Sequence, residues 1–560
     1  MELSTAGLLI NELRFSVLPC NRGTLGLLVM ARVRNCRIEF SSSESTRSLF
    51  YAMASSRKTP TARSFPVIAG LESPRGADDW VGSTTFANIP GPPRASWLKG
   101  YFSQVFNRNG WKFHHELVEK YGSVVRVPMA FGYEDLYVTD PLALHYIIVK
   151  DQYIYEETSA FITTNGLIFG TSLLSTLGLV RRAGDHHRKQ RKMLNPVFSL
   201  KHMRDLLPIF NSIAHELRDA LAEQARDGTK EFDVMHWLSR AALEFIGQGG
   251  FGHAFNALRD EEATKYSAYV KKIGQATMIY RERKIAVESG DDMAKEKVGM
   301  GKDILSILLK ANMVANENDR LPEEEVIGQL NTFILAGQET TSHAIARTLY
   351  LLSQHPDVQS RLRDEITVAR KERGGSDFDY DTLMALPYLD AVCRETLRVY
   401  PPVSIVIRTT RKDVILPLAW PILSADGKTE IAEIPIKKNT NVIVSIIGSN
   451  RSKRIWGDDA EEWKPDRWLS PLPESVAKAH MPGVYSSMMT FIGGGRACIG
   501  FKFAEMELKL VLSMLLESFK FELGAEVEWQ MSGVARPTLK GSADKSSMLP
   551  LKVSALEEKL

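Results

Sequence analysis

From Trp97 onward, apolar positions recur mostly at helical spacing, three and four residues apart. The longest such stretch is LPEEEVIGQLNTFILAGQETTSHAIARTLYLLSQHP, which predicts one helix from Pro322 to Gln354. A proline in its first turn, three glutamates at its positive end and Pro356 beyond its last turn are start and stop signals. At 1.5 Å per residue it reaches roughly 50 Å, enough to cross the core of a domain. FKFAEMELKLVLSMLLESF predicts a second, amphipathic helix beginning near Gly500. Strand-like runs are short and few: Ser123 to Met129, Asp135 to Thr139 and Thr440 to Ile447. The pattern is that of a mainly α protein with a smaller β region.

Residues 1–87 have little periodicity and a Ser/Thr/Arg-rich stretch (SSSESTRS, then MASSRKTPTARSF). Their longest apolar run, Gly23 to Ala31, is flanked by Arg22 and Arg32 and falls far short of the ~20 residues that span a bilayer. An Arg- and Ser-rich, acid-poor start is also the composition of a transit peptide, but the apolar stretches have neither that form nor a signal peptide's. The favoured reading is an atypical, poorly ordered N-terminal extension without a clear transmembrane helix. NIPGPPR, Asn88 to Arg94, then stiffens the chain into an extended hinge, and one domain is expected over residues 88–560.

Composition changes this picture little. Apolar residues make up 44% and charged residues 24%, enough for a sizeable core. A net charge of +3, from 70 basic and 67 acidic residues, gives no ground for a nucleic-acid partner. Cys20, Cys36, Cys393 and Cys498 are too scattered for a disulfide framework or a zinc site.

Two short segments break the apolar pattern. Midway along the long predicted helix, AGQETT (Ala336 to Thr341) places a glycine, a carboxylate and two hydroxyls where burial is expected, and such breaks mark function or a tolerated kink. Phe333, Gly337, Thr340 and Ala344 share one helix face, so Gly337 is expected to leave room for a ligand beside the Thr340 hydroxyl. Near the C-terminus, FIGGGRACIG (Phe491 to Gly500) surrounds one cysteine with glycines that allow positive φ and backbone amides turned toward sulfur. Cys498 also precedes a helix, where free amides favour a thiolate. Elsewhere a lone cysteine is most often a small buried hydrophobe.

Phe491, Gly494, Arg496, Cys498 and Gly500 together resemble the haem-binding signature of the cytochrome P-450 family. That resemblance implies the cytochrome P-450 fold and a haem b whose iron is axially ligated by the Cys498 thiolate, with Phe491 shielding the sulfur and Arg496 pairing with a propionate. AGQETT resembles the family's oxygen-activation motif, which casts Thr340 as the hydrogen-bonding partner of dioxygen at the iron, Glu339 as a proton carrier and Ala336 as a residue against the haem. ETLRVYPP and WKPDRW resemble two further family motifs, so that Glu395, Arg398 and Arg467 become a buried structural ion network. On spacing alone Glu395 and Arg398 would be a surface pair worth a few tenths of a kcal/mol. HHRKQRKMLNPVFS resembles a family helix that binds propionates, with His187 where tryptophan is commoner. By the same likeness Arg191 and Arg408 join Arg496 as propionate cations, and His187 can donate to a propionate.

The resemblance covers roughly Asn88 to Val553. It implies a haem-thiolate monooxygenase that oxidises a lipophilic small molecule with O₂, fed by a separate NADPH-cytochrome reductase, since no flavin or dinucleotide motif occurs here. Microsomal eukaryotic members carry such a proline hinge, which points to the cytosolic face of the endoplasmic reticulum membrane and to terpenoid or other secondary metabolism. Two places depart from the family. Residues 256–300 are several tens short where the substrate-pocket roof belongs, and LVRRAG before Asp185 is additional. The alternative they raise is an inactive or non-monooxygenase haem protein.

Overall fold

The computed structural model describes residues 86–177, 184–259, 277–282, 284–285 and 303–556, together with three strands nearer the N-terminus. Those strands, Leu13–Pro19, Leu25–Val33 and Cys36–Phe40, pair antiparallel in a sheet of their own. The Ser/Thr/Arg-rich stretch, nearly all of LVRRAG and most of the 256–300 region expected to be short lie outside the described residues. No described helix is long and apolar enough to cross a membrane.

The proline hinge is part of the folded domain. Phe86 and Ile89 are buried in the main core, and the Pro90 carbonyl accepts the Arg126 amide at 2.9 Å. The Cβ of any other residue at Gly91 would sit 2.0 Å from the Arg126 carbonyl oxygen, so glycine is what lets the hinge lie against that strand.

All three predicted strands form, and they share one sheet. Its order is Val124–Pro128, Glu134–Val138, Asn441–Ser445, Ile405–Thr410 and Tyr155–Glu157. Only the pair Glu134–Val138 and Asn441–Ser445 is parallel. Three of the strands, Val124–Pro128, Glu134–Val138 and Asn441–Ser445, are buried on both faces, which explains why they read as continuous apolar runs rather than alternating ones. A second sheet places the C-terminal strand Pro550–Ala555 between Phe519–Leu523 and Lys230–Asp233. Hairpins Val414–Leu423 with Glu430–Ile436 and Val527–Gln530 with Arg536–Leu539 complete the β structure.

Helices make up the bulk of the domain. The long helix runs from Glu323 to Gln354 with Pro322 as its N-cap and three glutamates in its first turn, close to the predicted span. It packs against helices Val234–Glu244, Phe501–Ser518 and Pro387–Val399. Helix Phe501–Ser518 departs from expectation, because it is buried on nearly every side from Phe503 to Leu516 instead of amphipathic. Its interior charges are accommodated individually. Lys509 bonds Asp390 at 2.7 Å and Glu505 at 3.3 Å, while Glu507 has no hydrogen-bond partner among the described residues and burial pushes its carboxyl well above the usual range.

Candidate active site

The long helix is buried on both sides of its midpoint but not at it. Glu325 to Ile334 and Thr341 to Ser353 are mostly buried, whereas Leu335 to Thr340 are exposed or half-buried. Cys498 shows the same contrast: it sits deep in the protein, yet its side chain is exposed. Phe333, at the near edge of the helix gap, meets Phe198 edge-on with ring centroids 5.7 Å apart, and the Phe198 ring lies 3.7 Å from where a Cβ at Gly500 would sit. The middle of the helix and the cysteine loop each border accessible space inside the protein, and Phe333 and Phe198 bridge the two.

The cysteine loop is held by close backbone packing. Of its three glycines only Gly494 has positive φ, at 63°, and an added Cβ there would lie 2.0 Å from the Ile148 carbonyl oxygen. The Gly495 amide donates to Gln152 Oε1 at 2.6 Å instead of turning toward the sulfur. The amide that reaches the thiol is that of Gly500, the N-cap of helix Phe501–Ser518. Phe491 accepts the Cys498 amide at 2.9 Å through its carbonyl and sets its ring between Tyr485 and Phe501. Burial raises the thiol pKa, while the Gly500 amide and the Arg191 charge act in the opposite direction.

On the facing helix, the AGQETT break causes no kink. The helix is continuous, and Gly337 accommodates Ile246, whose side-chain atoms would lie 3.2–3.3 Å from an added Cβ. The room expected there for a ligand is thus taken by protein; the exposed positions beside it are Ala336 and Glu339. The Thr340 hydroxyl donates to the Ala336 carbonyl at 2.7 Å, leaving its lone pairs to accept. Burial raises the Glu339 pKa and the charge of Arg536, on the C-terminal hairpin, opposes that rise. His343, one turn on, donates from Nδ1 to the Glu339 carbonyl at 2.5 Å and faces the Ser547 hydroxyl through Nε2 at 3.1 Å. Burial lowers its pKa to about 4, so it is neutral.

The four predicted anion-binding side chains meet beside the cysteine loop. Arg191 donates to the Gly495 and Ala497 carbonyls at 3.2 and 2.5 Å. Arg496 donates to the Leu173 and Thr176 carbonyls at 2.9 and 2.7 Å, and Arg408 lies within its electrostatic reach. His187 is buried near Arg496, Arg191 and His186, and desolvation followed by those charges lowers its pKa to about 3. It is therefore a neutral donor, not a cation. Two partners went unseen in the sequence: Glu157 bonds Arg408 at 2.9 Å, and Glu156 bonds Arg496 at 3.4 Å.

Glu395, Arg398 and Arg467 also come together. Arg398 grips Glu395 with two bonds of 2.8 and 2.7 Å, both side chains being fully buried, and Arg467 reaches the same carboxylate at 3.3 Å. Trp468 Nε1 and the Lys464 amide add donors to Glu395. The rest of Arg398 is satisfied by the Asn450, Ala460 and Glu462 carbonyls.

These residues fit a haem group. A thiol deep in the protein but open to an internal space suits an iron ligand, and three guanidiniums with a neutral imidazole suit two propionates. Fold and site define a mainly α-helical haem-thiolate type of protein. The family profile described as Cytochrome P450 matches residues 90–288 and 281–542. Cytochrome P450 monooxygenase 91 of Postia placenta is 46% identical over 519 residues, covering 84% of this chain and 94% of that protein. Ganoderic acid synthetase CYP5150L8 of Ganoderma lucidum is 37% identical, with coverage of 84% and 94%, and the monooxygenase eriI of Hericium erinaceus is 36% identical, with coverage of 84% and 93%. The chain belongs to the cytochrome P450 family and is a monooxygenase of the oxidoreductase class. The profile matches in two parts that overlap at residues 281–288, within the region expected from the sequence to be short.

Proposed function

We propose that this chain is a haem-thiolate monooxygenase that hydroxylates or otherwise oxidises a lipophilic small molecule, with Cys498 as the iron ligand. The observation that carries this reading is the pairing of a deep but open thiol with an exposed acid, Glu339, and a half-buried alcohol, Thr340, in the middle of a buried helix. When bound, the haem supplies activation of O₂ at an electron-rich thiolate-ligated iron. Arg191, Arg408, Arg496 and His187 would hold its carboxylates, and the Gly500 amide would temper the negative charge on sulfur. Glu339, set between burial and the Arg536 charge, can take and release a proton. Thr340 lies beside it with accepting lone pairs, positioned to relay that proton into the internal space. Electrons would come from NADPH through a separate reductase.

A terpenoid or other secondary metabolite is the substrate class we favour, supported by a relative named as a ganoderic acid synthetase. The cytosolic face of the endoplasmic reticulum membrane is the location we favour, by likeness to the fungal relatives. The first test is spectroscopic. Reduced protein under CO should absorb near about 450 nm, and Cys498→Ser should abolish that band; a band only at about 420 nm in the unmodified protein would sink the thiolate assignment. Product analysis on co-expression with a reductase and candidate terpenoids then tests the substrate.

A further inference from the structure

Three guanidiniums crowd one buried patch beside the cysteine loop, and their repulsion in a low-dielectric setting demands counter-charge. Arg191 bonds the neutral carbonyls of Gly495 and Ala497 and has no carboxylate partner among the described residues. Arg408 and Arg496 differ. Strand Tyr155–Glu157 pairs with Ile405–Thr410 in a register that sets Glu157 directly opposite Arg408. Their side chains bond at 2.9 Å and are 11% and 4% exposed. One residue earlier, Glu156 bonds Arg496 at 3.4 Å, and its side chain is 3% exposed. Arg411, on the residue after that partner strand, donates to the Glu157 carbonyl and fixes the strand end. A buried carboxylate held at such a distance keeps a guanidinium in one orientation while leaving its remaining N–H groups free to bond a second anion.

We propose that Glu156 and Glu157 are positioning residues for the cofactor: they aim Arg496 and Arg408 at its propionates and place negative charge beside it. This rests on the haem reading above. Two consequences are measurable without turnover. Negative charge near the iron disfavours electron uptake, so removing it moves the midpoint potential to more positive values. Loss of the buttress also loosens the guanidiniums, so haem leaves more readily.

The experiment uses purified holoenzyme carrying Glu156→Gln, Glu157→Gln or both, with Glu157→Asp as the charge-conserving control. Potential is measured by spectroelectrochemistry, and haem loss by transfer to apomyoglobin. Each glutamine variant should shift the potential positive, and the double variant should release haem roughly tenfold faster, equivalent to about 1.4 kcal/mol. Glu157→Asp should keep the potential near that of the unmodified enzyme. Unchanged potential and transfer in the glutamine variants would overturn the proposal, as would slower transfer, which would make the glutamates competitors of the propionates. If the double variant does not fold, the single variants and Glu157→Asp decide by the same readings. Absence of the thiolate CO band in the unmodified enzyme would overturn the haem reading itself, and this proposal with it.

Discussion

Thr340 spends its hydroxyl proton on the Ala336 carbonyl, so its contribution to chemistry would come from lone pairs or from leaving that bond. Thr340→Ala is therefore expected to leave haem content intact while lowering, several-fold, the fraction of NADPH consumption that yields product; unchanged coupling would remove Thr340 from the relay. Glu395 is a different kind of residue. It receives Arg398, Arg467, Trp468 and the Lys464 amide, and nothing reacts there. Glu395→Gln leaves two buried guanidiniums short of their counter-charge and should cost about 3–5 kcal/mol in denaturant unfolding. A loss under about 1 kcal/mol, the range of exposed pairs, would show that the network is worth little. Cys498 and the cations Arg191, Arg408 and Arg496 were legible because they stand in fixed short patterns. Glu156, Glu157 and Arg536 were not, since their partners lie from 197 to 340 residues away in sequence and only the strand register and hairpin bring them near.

At the scale of elements, length favoured recognition. The helix Glu323–Gln354 carries its start and stop signals in the chain itself, and the three sheet strands are bounded runs of apolar residues. Helix Phe501–Ser518 misled because Glu505 and Lys509, one turn apart, look like a solvated face, whereas Lys509 is neutralised by Asp390 of another helix. Glu507 remains a liability. Its folded pKa is raised by burial, so the protein is favoured at pH values below the unfolded glutamate's ~4.3 and loses that advantage as pH rises toward the folded value. Glu507→Gln should thus raise the denaturant midpoint at neutral pH and give no gain near pH ~4. An equal gain at both pH values would exclude ionisation as the cause.

For the whole molecule, acid acts through histidines buried as neutral rings. His114 and His343 have pKa values lowered to about 4 and His187 to about 3, in each case first by desolvation. Folding is unaffected by them above the unfolded value of about 6.5 and is opposed progressively as pH falls below it, because only the unfolded chain takes up the protons readily. The thermal midpoint should therefore fall between about pH 7.5 and pH 5, and His114→Gln should shrink the fall; a flat profile would contradict it. Residues 256–300, expected to supply the pocket roof, were the part the sequence left least legible, and for a physical reason: they hold too little periodic apolar sequence to announce elements of their own.

The last strand, Pro550–Ala555, lies between Phe519–Leu523 and Lys230–Asp233 and bonds to both. A strand made late thus joins two others made far apart in time, and the strand near residue 230 waits for it with one edge unpaired. A chain lacking Pro550–Ala555 would carry two exposed strand edges ready to pair with other chains.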